Sequence, residues 1–177
     1  MIDFGWAVIG CGRIANIVAE ELQKSGAGKI VAVWNRTASK AENFAAKYGG
    51  KVYADVNDAL SADGVDAVYI ATTHDKHLDF TRLALSMGVP VLCEKPITVN
   101  TSQLQEAISL AKENDVYYAE AMWTWHNPVS CKVRDWIRRG LVGKIKSVRA
   151  VYAYPIVQFG RNPRLTSPDL IGGALLT

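Results

Sequence analysis

Three short stretches of this chain carry groups suited to chemistry. The first, Gly10-Cys11-Gly12-Arg13-Ile14-Ala15, has GxGxxA spacing between an apolar run ending at Ile9 and a helical run starting near Arg13. Gly10 suits a tight turn, Gly12 lets the backbone approach a pyrophosphate, and Ala15 lets the helix pack close to the strand. The N–H groups at the helix start and the positive end of its dipole then face the phosphates. The second stretch, Asn35-Arg36-Thr37, follows a buried run. In a dinucleotide-binding fold this position lies beside the adenosine ribose, where a carboxylate serves the 2′-OH of NAD and would repel the 2′-phosphate of NADP. No acid is present: Asn35 is neutral, Arg36 can grip a phosphate bidentately, and Thr37 can add a donor. NADP is therefore expected over NAD, the alternative for Arg36 being a solvated residue at the start of a helix. The third, Glu94-Lys95-Pro96, sets two opposite charges directly after an apolar run. Pointing inward unpaired they would be costly, so they should face a cleft or partners. Pro96 fixes the turn and biases Lys95 towards an extended backbone that projects its side chain away from the strand end.

The elements that must position these residues alternate short β-branched runs with amphipathic stretches, the pattern of βαβ units on a parallel sheet. Strands are expected at 4–9, 30–34, 52–53, 65–71, 89–93 and 116–119. The first helix carries Ile14, Val18, Glu21 and Leu22 at helical spacing, widened by Ile17, and stops at Gly26 and Gly28. The second spans 39–48 with Phe44 and Ala45 on its apolar side, closed by Gly49-Gly50. Asp55 can cap a short helix through Ala59 and Leu60. Another helix follows over 76–87, and a further one, capped by Thr101 or Asn100, shows Leu104, Ala107, Ile108 and Ala111. In doubly wound folds ligands gather at the carboxyl ends of strands, which makes Ala71, Thr72 and Thr73, with His74 and His77 behind them, further contact candidates. After Pro128, Val129, Val133, Trp136 and Ile137 fit a helix ending at Gly140. Residues 144–154 then read as a long strand with apolar side chains on both faces, followed by a Pro-containing extended connection.

At 177 residues the chain can bury a real core, and 49% hydrophobic with 21% charged residues is ordinary for a globular protein. A formal charge of +3 with dispersed Lys and Arg argues against a nucleic-acid or polybasic membrane surface. The chain starts without a cationic leader or an apolar run of membrane-spanning length, so the expectation is a cytoplasmic protein. Cys11, Cys93 and Cys131 should be reduced thiols, and neither they nor the histidines have metal-ligand spacing, so no metal is expected.

In this order the motifs make the chain resemble the Gfo/Idh/MocA oxidoreductases, the glucose-fructose oxidoreductase and inositol dehydrogenase family, from Phe4 to the last residue. The matching stretches are Gly10 to Ala15, the run from Val65 to Ala71, His77, Cys93-Glu94-Lys95-Pro96, Glu120-Ala121 and Gly172-Gly173-Ala174-Leu175-Leu176. Thr73-His74-Asp75-Lys76-His77 and Glu120-Ala121-Met122-Trp123-Thr124 look closest to dihydrodiol dehydrogenase-like members, which usually carry Arg-Phe where this chain has Trp125-His126. The resemblance implies an α/β fold: a Rossmann doubly wound parallel sheet over 1–121, and over 122–177 a connecting helix with the first part of an α+β, mostly antiparallel substrate and oligomerisation domain. It also implies a nicotinamide dinucleotide and a sugar, polyol or diol substrate between the two domains. Lys95 would hold the reacting hydroxyl and handle its proton while hydride passes to or from the nicotinamide. Glu94 would orient Lys95 or contact the cofactor. His77 would line the cofactor pocket or simply start a helix, and Trp123 would pack on the nicotinamide or substrate, or belong to the core.

Family members continue past the Gly-Gly-Ala-Leu-Leu segment, with an Asp at the position of Thr177, a Tyr or His completing the acid/base set, and most of a second sheet. Three expectations follow. The chain is the cofactor-binding half of a dehydrogenase with little activity alone, or a non-catalytic dinucleotide-binding or regulatory module, or a subunit completed by another chain or a second copy pairing with the 144–154 strand.

Overall fold

Alternate residues along each strand face opposite sides of a sheet, and here both sets are apolar, so both faces must be covered. The computed structural model describes residues 3–151 and shows how. Six strands, β1 (Gly5–Ile9), β2 (Lys29–Trp34), β3 (Lys51–Val52), β4 (Ala67–Ile70), β5 (Val91–Cys93) and β6 (Tyr118–Glu120), form one sheet. Their order is β3-β2-β1-β4-β5-β6, and all pairs are parallel. This is the doubly wound Rossmann order, reversing direction between β1 and β4. Helices α1 (Arg13–Ser25) and α2 (Ala38–Tyr48) cover one face. There Val8 of β1 and Tyr69 of β4 pack with Ala15, Ala19, Ala41 and Phe44. Helices α3 (Val56–Leu60), α4 (His77–Ser86) and α5 (Thr101–Glu113) cover the other, where Ala7, Ile9, Val68 and Ile70 meet Leu60, Leu85 and Ala111. A 3-10 turn over His74–Lys76 leads into α4.

Capping follows the sequence closely. Asp55 accepts from the Asn57 N–H, and Asn100, rather than Thr101, accepts from Gln103 N–H. Gly26 closes α1 in the left-handed region.

Several elements differ from expectation. On α1 the residues that press onto the sheet are Ala15 and Ala19, whereas Ile17 is 45% exposed; only small side chains let this helix lie so near the strands. β6 starts two residues late, because the Val116 N–H still bonds Ala111 O at the end of α5 and Tyr118 is the residue in register with Val91. A short helix, α6 (Trp123–His126), precedes α7 (Pro128–Arg138), which starts where Asn127 accepts from Val129 N–H. α7 buries none of its residues. The strand expected at 144–154 is absent over 144–151: Val148 and Val151 are 81% and 75% exposed, and among the described residues no neighbouring strand receives their backbone hydrogen bonds. Its last three residues, the extended connection and the Gly172-Gly173-Ala174-Leu175-Leu176 segment lie outside the described residues. Among the described residues no helix is long and apolar enough to cross a membrane.

Candidate functional site

The glycine turn leaves β1 and is pinned from both sides. Gly10 donates to Trp34 O at 2.9 Å, at the end of β2. Its φ is 97°, and a Cβ there would lie 2.7 Å from Ala71 O, at the end of β4, so Gly10 is required both by its backbone conformation and by close approach. Gly12 is different. It is the exposed N-cap of α1, and a Cβ would meet nothing within 4 Å. No side chain caps α1, and its first backbone bond runs from Asn16 N–H to Gly12 O, so the amides of the first turn have no helical acceptors. Open space in front of uncapped amides fits a pyrophosphate. Arg13 is exposed beside it, Ile14 half-buried, and Ala15 buried against the sheet. Cys11 is turned inward, its thiol towards Trp34 O and pushed up to about 12 by burial.

At the tip of β2, Asn35 reaches back to the turn, its Oδ1 accepting from Cys11 N–H at 3.0 Å while its Nδ2 donates to Thr37 O at 2.9 Å. Arg36 and Thr37 are exposed. Asn35 is thus an internal bridge rather than a group turned outward to a ribose.

Across the sheet reversal, the ends of β4, β5 and β6 carry the charged residues. Tyr69 hydroxyl donates to Glu94 Oε1 at 2.6 Å, and Glu94 Oε2 accepts from Lys95 N–H at 3.2 Å. Burial, then the Glu94 charge, push the Tyr69 phenol upward, keeping it a donor. Glu120, at the end of β6, accepts from Ile97 N–H at 2.9 Å, and His77 Nδ1 lies 2.8 Å from Pro96 O. A carbonyl only accepts, so this Nδ1 carries a proton. Three neighbours therefore hold the backbone around Lys95. Half-buried Lys95 opens, with Glu94, onto a cavity of about 790 Å³. α1 forms one wall of it through Ile14, Ala15 and Val18; Glu120, Met122, Trp123 and His126 stand at another.

The structure thus brings Glu94, Lys95, Ile14, Ala15 and Trp123 to one cavity, and seats Gly10, Cys11, Gly12 and Asn35 in the adjoining turn. Ala71 is buried beneath Gly10, Thr72 is half-buried, and Thr73 is exposed at the N-terminus of the 3-10 turn. His77 follows the second of its two expected readings: it starts α4, is 0% exposed, and supports the Pro96 carbonyl from inside. Trp123 is 69% exposed and is not a core residue. Reading the sequence missed Tyr69, whose signal was a lone hydroxyl in an otherwise apolar buried strand. It also missed the support given by Glu120 and the place of His126 on the cavity wall. Among the described residues no cluster of His, Cys, Asp and Glu could hold a metal ion.

Comparison with known proteins adds the following. The model of an oxidoreductase family with an NAD-binding Rossmann fold matches residues 4–122. Over 97% of its length the chain is 33% identical to trans-1,2-dihydrobenzene-1,2-diol dehydrogenase of Xenopus laevis, covering 52% of that protein. It is 32% identical to D-xylose 1-dehydrogenase (NADP(+)) of Hypocrea jecorina, covering 49% of it. A 3-ketoreductase from Actinomadura kijaniata solved with NADP superposes with a TM-score of 0.73 at 28% identity, over 82% of this chain and 47% of that one. The chain spans about half the length of the curated relatives it matches.

Proposed function

From the premise that this chain belongs to the Gfo/Idh/MocA oxidoreductases, a family with an NAD-binding Rossmann fold, we propose that it binds NADP and supplies Lys95 for oxidation of a hydroxyl on a sugar, polyol or dihydrodiol. The observation that carries this reading is the opening of Lys95 and the uncapped α1 N-terminus onto adjoining space. We take 1–121 as the dinucleotide-binding domain and residues from 122 onward as part of a substrate-facing one. The first-turn amides and Gly12 would receive the pyrophosphate, and Arg36 with Thr37 the 2′-phosphate. The bound nicotinamide supplies the hydride acceptor. Lys95 holds the substrate hydroxyl and takes its proton as the carbinol becomes a carbonyl. Glu94, fixed by Tyr69, sets the Lys95 backbone, and Trp123 with Met122 offers an apolar wall against which a ring could pack. Three unpaired cysteines support a reducing, cytoplasmic setting. A second copy or completing chain would meet the 144–151 segment as a non-strand.

Titration of the chain with both dinucleotides tests the first half: NADP binds tighter than NAD, and Arg36→Ala removes the preference. Tighter NAD binding ends the 2′-phosphate argument. Lys95→Ala should retain NADP affinity and lose NADPH formation with polyols, aldoses and dihydrodiols; unchanged turnover ends the role of Lys95.

A further inference from the structure

The side-chain amide of Asn35 stands between two loops that would hold different parts of a dinucleotide. Its oxygen takes the Cys11 N–H, in the middle of the glycine turn, and its nitrogen bonds the carbonyl of Thr37, the residue after Arg36. On this side Gly10 N–H already ties the start of the turn to Trp34 O at 2.9 Å, while at its centre Gly10 and Gly12 offer no side chains and the Cys11 thiol makes only a long contact with Trp34 O, so the Cys11 amide depends on Asn35. The loop of Arg36 and Thr37 is exposed, and Thr37 gives α2 no side-chain cap. A planar group with one acceptor and one donor is needed to satisfy both loops at once. Asp would keep the acceptor but set a carboxylate against the Thr37 carbonyl, and Ala would keep neither.

We propose that Asn35 is a positioning residue that locks the glycine turn to the Arg36-Thr37 loop, so that the pyrophosphate and 2′-phosphate sites are held in register. This rests on the nucleotide-binding reading above and changes the assignment of Asn35 within it. The Cys11 N–H is committed to Asn35, so the phosphate-facing amides begin at Gly12. Because the brace acts through the turn, its loss weakens NADP and NAD alike, whereas loss of a direct 2′-phosphate contact weakens NADP alone.

The test combines two measurements on the whole chain: amide hydrogen exchange at Cys11 by NMR without nucleotide, and calorimetric titration with NADP and with NAD. One net hydrogen bond corresponds to roughly a three- to tenfold effect. Asn35→Ala should accelerate Cys11 exchange by about that factor and weaken both dinucleotides by a similar one. Asn35→Asp, which keeps the acceptor, should retain Cys11 protection and NAD affinity while losing affinity for NADP. Arg36→Ala should weaken NADP alone and leave Cys11 exchange as in wild type. Unchanged Cys11 exchange in Asn35→Ala, accelerated exchange in Asn35→Asp, or an Asn35→Ala loss confined to NADP each overturns the proposal. Absence of binding by the wild-type chain overturns the functional reading and the ligand half of this one, whereas exchange at Cys11 decides the brace by itself.

Discussion

Gly10 and Gly12 look equivalent in the motif and differ in the molecule. A methyl at Gly10 would collide with the Ala71 carbonyl in a backbone conformation that L-residues avoid, so Gly10→Ala should cost about 2 kcal/mol of stability. At Gly12 the same methyl meets nothing, so Gly12→Ala should cost only the loss of a glycine N-cap, about 1 kcal/mol or less by denaturant unfolding, while weakening dinucleotide binding. Equal destabilisation by both would contradict this division. The thiols divide similarly. Burial raises Cys11 to about 12 and Cys93 further, while Cys131 is exposed. The reactive species is the thiolate. Iodoacetamide at pH 8 should therefore modify Cys131 in the native protein and spare the other two, as read by peptide mass spectrometry. In the unfolded chain these thiols ionise near pH 8.5, as ordinary thiols do, so unfolding releases protons above that pH. Their stabilising contribution is complete below about pH 8.5 and declines as pH rises towards 12. Cys11→Ser should lessen that alkaline decline in denaturation midpoints.

The helices ended where local chemistry said they would. Asn100 holds the Gln103 N–H at 2.9 Å, and Asn100→Ala should cost about 1 kcal/mol by thermal or chemical unfolding, with Asn100→Asp close to wild type. Loss of a few tenths only would mean that the capping bond is replaced by water. Such caps, the parallel alternation and the glycine stops were legible because each depends on residues a few positions apart. The start of β6 was not, since pairing with Val91 rather than apolar pattern selects Tyr118. Nor was the face of α1, where proximity to the sheet selects Ala15 and Ala19 over the bulkier Ile17. Residues 144–151 have strand-forming side chains but no partner strand among the described residues, and a ladder cannot be supplied by one segment. At the site, Lys95 and the glycine turn could be found from local signals. The supports from Tyr69, His77 and Glu120 could not, because each spans 19 to 25 positions in sequence.

At the scale of the whole sheet, the described residues form two half-sheets joined along one seam. β1 and β4 pair from Trp6 with Ala67 to Ile9 with Ile70. Gly5 N–H to Asp66 Oδ2 at 2.7 Å fastens one end, and Ala71 N–H to Ile9 O at 2.8 Å the other. The glycine turn and Arg36 belong to one half, Glu94 and Lys95 to the other. In mechanical terms this four-pair ladder is the joint between the halves, and it carries the load whenever β1 and β4 are drawn apart. A dinucleotide seated across it would act as a second fastener in parallel with the backbone bonds. Pulled through handles at Lys29, on β2 with its five-pair ladder to β1, and at Asp63, just before β4, the joint should part at a higher force with NADP bound than without it, and a force that ignores the nucleotide would place the ligand on one side of the joint only.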